Sequence, residues 1–243
     1  MNRLDKRLRD AIRHFWTMRR RQAKKQGIRT GQKDAGRRTA VTGGKHLDGF
    51  ITLCRDLLVK AGLSKANVYW NSGRELPGFF RAEKSWDLLA VVDGQLLAVI
   101  EFKAQVGPSF GNNFNNRTEE ALGNATDLWA AYREGAFKPS QRPWLGYVFI
   151  LEECKRSLTP VQVQEPHFRV FPEFRDASYA KRYEILLTKL LRERLYDGVS
   201  LLLTTEVDGL KGKSWSPSSE LSFQTFIARL EGHARAFANM RKN

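Results

Sequence analysis

Residues 86–129, WDLLAVVDGQLLAVIEFKAQVGPSFGNNFNNRTEEALGNATDLW, organise the rest of the chain. They open with two apolar runs, Leu88–Val92 and Leu96–Phe102, on either side of Asp93-Gly94. An Asp-Gly pair between apolar runs is a strong short-range hairpin signal, because both turn positions ask for positive φ. Three charges interrupt the hairpin: Asp87 on its first strand, Glu101 and Lys103 on its second. A carboxylate in a buried strand is costly without a partner. Two carboxylates beside a lysine point to a divalent metal and a poised water.

The spacing has consequences for geometry. Glu101 and Lys103 are two apart, so on a strand they share a face. Whether Asp87 joins them depends on the turn. A two-residue Asp93-Gly94 loop sets Asp87 opposite Ile100, pointing away from Glu101. A three-residue loop, Val92-Asp93-Gly94 with Gly94 left-handed, sets Asp87 opposite Val99, on the face of Glu101 and diagonal to it. The expected register is the three-residue one, or an equivalent bulge nearer Asp87.

Both faces of these strands are largely apolar, which implies layers on both sides, as in α/β folds. After Lys103 comes a loop dense in glycine and asparagine. Asn116 with Glu119 resembles a capping pair, and Ala121, Leu122, Ala125, Leu128 and Tyr132 then share a helical face. Trp144–Leu151 is a further buried strand. Strand, helix, strand makes a βαβ unit, so this strand should run parallel to that of Glu101. Upstream, Leu4, Leu8, Ala11, Ile12 and Phe15 predict an amphipathic helix over 3–20, and Leu47 to Leu58 a second helix ending near Gly62. Val68–Trp70 and Phe79–Arg81 are short strand candidates. Downstream, 154–177 reads as irregular, 178–195 as a helix, Val199–Thr204 as a strand and 219–240 as a last helix. The reading is one domain over residues 1–243, with a basic, partly flexible N-terminal extension at about 19–45.

The chain carries 41 Lys and Arg against 26 Asp and Glu, a net charge of +15. Residues 1–45 hold much of that excess, with Asp5, Asp10 and Asp34 their only acids. Such asymmetry suggests a polyanionic partner. The 19–45 segment is read as an arm that tracks DNA phosphates, or as a solvated loop. No apolar run approaches the ~18 residues of a membrane helix, and no signal-peptide core is present. A soluble protein of the bacterial cytoplasm, with no membrane partner, is expected. Cys54 and Cys154 form no metal-ligand spacing and no disulfide framework. His14, His46, His167 and His233 show no zinc spacing.

Phosphodiester hydrolysis needs a nucleophilic water, neutralisation of charge in the transition state and help for the leaving oxygen. Mg2+ held by carboxylates serves all three. Asp87 and Glu101 supply hard oxygen ligands, and the main-chain carbonyl of Phe102 is placed for a third. Lys103 can polarise the water or brace the scissile phosphate. Asp48 is a possible extra acid, or a surface or capping residue. Asn112, Asn113, Asn115, Asn116 and Arg117 follow the catalytic strand directly. Asn can bond adenine and Arg guanine bidentately in the major groove; equally, such asparagines serve turns and caps. Lys45 is a further DNA-binding candidate. Three readings stay open: a site-specific endonuclease, a structure-selective repair or recombination nuclease, and a non-catalytic basic DNA- or RNA-binding protein in which Glu101 and Lys103 are an ion pair.

The pattern Asp87, Glu101, Lys103 matches the PD-(D/E)xK nuclease signature, with Trp86 where that signature has proline. More specifically, GGKHLDGF (43–50), LPGFFR (76–81), WDLL (86–89), EFKAQVGPSFGNNFNNRTEEALGNATDL (101–128), ILEECKRS (150–157), PHFRVFPEF (166–174) and ASYAKRYEILLTKL (177–190) resemble the XhoI-type family of type II restriction endonucleases. The resemblance implies a PD-(D/E)xK core, a central mixed β-sheet flanked by helices. It implies Asp87, Glu101 and Lys103 as catalytic residues, in a Mg2+-dependent homodimer that cleaves double-stranded DNA. It also implies the palindrome CTCGAG, cut after the first C to leave four-base 5′ overhangs, and a companion DNA methyltransferase acting on the same site without stable binding.

Overall fold

The computed structural model describes residues 3–30 and 45–241. The strands are β1 (Val68–Tyr69), β2 (Glu75–Pro77), β3 (Glu83–Ser85), β4 (Leu88–Val92), β5 (Gln95–Gln105), β6 (Trp144–Glu152) and β7 (Gly198–Thr204). The long helices are α1 (Arg3–Thr30), α2 (Asp48–Lys60), α3 (Phe110–Arg133), α4 (Tyr179–Arg192) and α5 (Phe223–Met240). The central sheet has the order β1-β4-β5-β6-β7, and β2 and β3 form a separate two-stranded hairpin. β5 pairs antiparallel with β4 and parallel with β6, and β6 pairs parallel with β7, so the sheet is mixed. The expected βαβ unit is therefore β5-α3-β6.

Alternation along the strands divides the core in two. Ile100 and Phe102 of β5, with Val148, Ile150 and Leu202, face a layer made by α1, α2 and α5. Val99, Tyr147, Phe149, Val199 and Leu201 face the layer of α3 and α4. Phe15, Phe50 and Phe223 in the first layer and Tyr183 and Leu187 in the second are fully buried. Each such side chain contributes about 1.5–3 kcal/mol. Among the described residues no helix is long and apolar enough to cross a membrane.

The hairpin turn differs from the favoured three-residue loop. Val92 pairs with Gln95, leaving a two-residue turn, and Asp93 (φ 49°) and Gly94 (φ 75°) are both left-handed. Mirror-image turns of this kind suit the right-handed twist of paired strands. The register correction comes further along: Val91 pairs with Leu96 but Ala90 with Ala98, so Leu97 is the extra residue of a β-bulge. This is the alternative of a bulge nearer Asp87.

Other boundaries also move. α1 continues to Thr30, so residues 19–30 are helical, and the remainder of the expected basic extension, 31–44, lies outside the described residues. α3 starts at Phe110 after Ser109, so the asparagines stand on helix, and Asn116 is six residues inside it and caps nothing. Phe79–Arg81 is no strand. It is the exposed turn between β2 and β3, where proline and glycine punctuate the chain.

Candidate active site

The ladder between β4 and β5 ends at Leu88 and Ile100; one step further sets Asp87 across from Glu101. The Asp87 Oδ2 accepts a hydrogen bond from the Phe102 N–H at 2.7 Å. In a strand the N–H and C=O of one residue leave by the same edge, so the Phe102 carbonyl also lies on the Asp87 side. Glu101 is only 2% exposed. Lys103 forms an ion pair with its Oε1, and the Lys84 Nζ lies 3.1 Å from its Oε2. Asp87, Glu101 and Lys103 are thus brought together on the face of the sheet that α3 and α4 cover.

Electrostatics follow from this crowding. Burial, and then the neighbouring Glu101 charge, push the Asp87 carboxyl up to about 6. Burial pulls on the Lys103 ammonium in the other direction, but Glu101 and Asp87 outweigh it and its pKa is raised. Lys103 is therefore a firm cation. Tyr147 is the β6 neighbour of Glu101. Its hydroxyl is buried without a hydrogen-bond partner, and burial first, then Tyr196 and Glu101, hold it neutral by raising its pKa well above the usual phenol value.

A cavity of about 440 Å3 lies at the C-terminal end of β5, lined by Ala104, Gln105, Gly107, Asn112, Asn113 and Arg117 together with Arg19 of α1. Arg117, which lines the cavity, pairs with Glu120, and its charge is felt at Lys103 without reversing the upward shift there. Asn115 and Asn116 are exposed and do not line the cavity. Lys45 is exposed too, and its carbonyl lies 2.9 Å from His14 Nε2, on α1. Asp48 is not delivered to the acids. It opens α2, in the layer on the opposite face of the sheet, and its charged neighbours are His14 and Lys45.

Two features escaped sequence reasoning. Lys84 arrives from the separate β2-β3 hairpin, and its position depends on a hairpin whose strands are three residues each. The second is the anchor of that hairpin. Asp127 of α3, mostly buried, accepts hydrogen bonds from the N–H groups of Phe79 and Phe80 at 2.8 Å and from Arg81 Nε at 2.6 Å, while Arg81 Nη2 bonds Asn124. Gly78 lies so close that a Cβ there would stand 2.4 Å from the Asp127 carboxylate. The only sequence signal was an Asn and an Asp within an otherwise apolar helical face.

Among the described residues no group of three or more His, Cys, Asp and Glu side chains could hold a metal ion. The available donors are two carboxylates and a main-chain carbonyl. That set suits a hard divalent cation that keeps waters and takes substrate oxygens as its remaining ligands. Burial first, and then repulsion from Glu101, raise the Asp87 pKa, and such a cation would offset both.

A mixed sheet flanked by helices, with two acids and a lysine meeting across its antiparallel pair, defines a protein of the restriction-endonuclease-like class. Residues 25–216 match the model of restriction endonuclease XhoI. The chain is 50% identical over 206 residues to the type II restriction enzyme BstVI of Geobacillus stearothermophilus, covering 83% of this chain and 92% of that enzyme. It is 44% identical to the type II restriction enzyme XhoI of Xanthomonas vasicola, covering 66% of this chain and 65% of that enzyme. It is 45% identical to AbrI of Azospirillum brasilense, covering 68% and 74%. This chain belongs to the XhoI restriction endonuclease family. No solved structure matches it.

Proposed function

We propose that this protein is a type II site-specific deoxyribonuclease that hydrolyses double-stranded DNA with Mg2+ held by Asp87, Glu101 and the Phe102 carbonyl. The observation that carries the reading is the meeting of Asp87 and Glu101 on one face, with Lys103 on Glu101, beside a cavity lined by Asn112, Asn113 and Arg117. A divalent ion there supplies Lewis acidity and positive charge against the transition state. The chain's own residues do the rest. The Phe102 N–H fixes the Asp87 carboxylate in direction. Lys103, a firm cation, acts as donor and positive charge: it braces the scissile phosphate and orients the attacking water. Arg117, Asn112 and Asn113 contact bases or phosphates next to the cut, and Asn115, Asn116, Lys45 and the basic half of α1 add phosphate contacts.

The target we propose is CTCGAG, cut after the first C to leave four-base 5′ overhangs. A palindrome asks for a two-fold dimer in which each subunit cuts one strand. Such an enzyme acts in the bacterial cytoplasm beside a DNA methyltransferase that modifies the same site. The test is a digest of a plasmid of known sequence with Mg2+, followed by sequencing of the ends. Discrete fragments ending at CTCGAG are expected. Glu101→Ala should cut nothing and keep duplex affinity within about threefold. Cutting by that variant at the wild-type rate overturns the assignment. Nicking only at junctions or flaps points instead to a structure-selective nuclease, and no cleavage to a binding protein.

A further inference from the structure

We propose that Lys84 is a second active-site lysine. It pairs with Glu101 in this structure, and it would turn to the scissile phosphate if a divalent ion were held at the same oxygen. The proposal rests on the reading of Asp87 and Glu101 as the metal-holding pair.

Both Glu101 oxygens are engaged, Oε1 by Lys103 and Oε2 by Lys84 at 3.1 Å. A divalent ion on Oε2 would meet the Lys84 ammonium at hydrogen-bond range, and like charges so close repel strongly. One of the two must leave that oxygen. Lys103 comes from β5 itself and pairs with the other oxygen, Oε1, whereas Lys84 reaches Oε2 from a different sheet, so an ion on Oε2 would displace Lys84.

Lys84 is not an ordinary surface ion pair, of the kind that contributes little. Its side chain is 12% exposed. Besides Glu101, its ammonium lies 3.3 Å from the Ser85 carbonyl and 4.3 Å from the centre of the Trp86 ring. Trp86 is itself buried, so its face offers a partly desolvated cation–π seat. Ordering a lysine there costs side-chain entropy and hydration. The hairpin carrying it is held from two sides. Asp127 grips the turn at Phe79, Phe80 and Arg81, and at the open end Trp86 N–H bonds the Arg74 carbonyl while Arg74 Nη1 bonds the Trp86 carbonyl. The released ammonium therefore stays beside the acids, where an incoming phosphate needs positive charge.

The chemistry also balances. Without metal, two carboxylates face two ammonium groups. A divalent ion on the acids would leave Lys84 as surplus positive charge, for which an anionic substrate would supply a new partner.

Lys84→Gln and Lys84→Arg in the full-length protein test this. Mn2+ is titrated calorimetrically without DNA, and single-turnover cleavage is timed at saturating Mg2+. Lys84→Gln should bind Mn2+ about tenfold tighter, because a competing charge is gone. It should cleave about 100-fold more slowly, because a donor to the developing charge is gone. Lys84→Arg, which keeps the charge, should retain wild-type Mn2+ affinity and most of the cleavage rate. Unchanged or weaker Mn2+ binding in Lys84→Gln overturns the proposal, as does cleavage within about threefold of wild type. If wild type neither binds Mn2+ nor cuts, the reading of Asp87 and Glu101 fails and takes Lys84 with it. If wild type does both and Lys84→Gln matches it, the role of Lys84 alone fails.

Discussion

The Asp87 carboxylate bonds the main-chain N–H of Phe102 at 2.7 Å, one residue beyond the last paired position of β4. A side chain thus takes up the ladder just where the strand gives out. Its partner is the peptide that joins Glu101 to Phe102, so the spacing of the two acids is set by backbone geometry. Under the proposed function, preorganisation of this kind would remove reorganisation from the reaction.

The same crowding predicts a pH dependence. Burial and Glu101 raise the Asp87 pKa from 3.8 to about 6. Between those values the folded protein holds a proton that the unfolded chain has released, so stability falls as pH rises through that window. Two pKa units correspond to about 3 kcal/mol. Urea titrations in chelator from pH 4 to 7 should show that loss in wild type and not in Asp87→Asn. Equal slopes in the two proteins contradict the burial of that carboxyl.

His46 should act with the opposite sign. Its ring packs against Phe15, and burial first, then Arg19 and His14, lower its pKa to about 4. The unfolded chain binds the proton more readily. The stability is present above pH 6.5 and is lost as pH falls towards 4, by up to about 3 kcal/mol. His46→Gln, on an Asp87→Asn background, should flatten the remaining acid limb, read as the urea midpoint against pH.

Asp127→Ala removes the acceptor for two N–H groups and for Arg81 at once. A loss of about 2–4 kcal/mol is expected, since buried charged hydrogen bonds are involved. The freed turn should also be cut faster by trypsin after Arg81. A variant with wild-type stability and wild-type resistance to trypsin would show that the hairpin is held by something else.

Base discrimination should map onto the cavity and not onto asparagines in general. Asn113 lines it, whereas Asn115 is exposed and outside it. Asn113→Ala should lose roughly 1–3 kcal/mol of discrimination at one base pair of the site. Asn115→Ala should change affinity evenly across sequences. Competition binding in Ca2+ with singly substituted duplexes separates the two, and the reverse pattern would place the reading surface elsewhere.

Much of this was legible in one dimension. The periodicity of β4, β5 and β6, and of α2, α4 and α5, could be read because each element buries a continuous stripe, and burial imposes period on sequence. The turn departs from the three-residue expectation for a local reason: Asp93-Gly94 suits a two-residue loop so well that the extra residue is absorbed at Leu97 instead. The asparagine stretch reads as a loop in the sequence because propensity is a weak prior. Phe110 and Phe114 pack on Tyr179 and Tyr183 and carry the helix through it.

By itself the sequence determined the mixed sheet between helical layers, the family, and the acid-acid-lysine set, because alternation and motif spacing are properties of neighbouring residues. Only the tertiary structure decided that Asp87 shares a face with Glu101, that Asp48 does not, and that Lys84 reaches the same carboxylate. Those outcomes turn on one bulged residue, on which face of the sheet α2 covers, and on where an independent hairpin docks. Each is set by packing between segments distant in the chain, which no local pattern records.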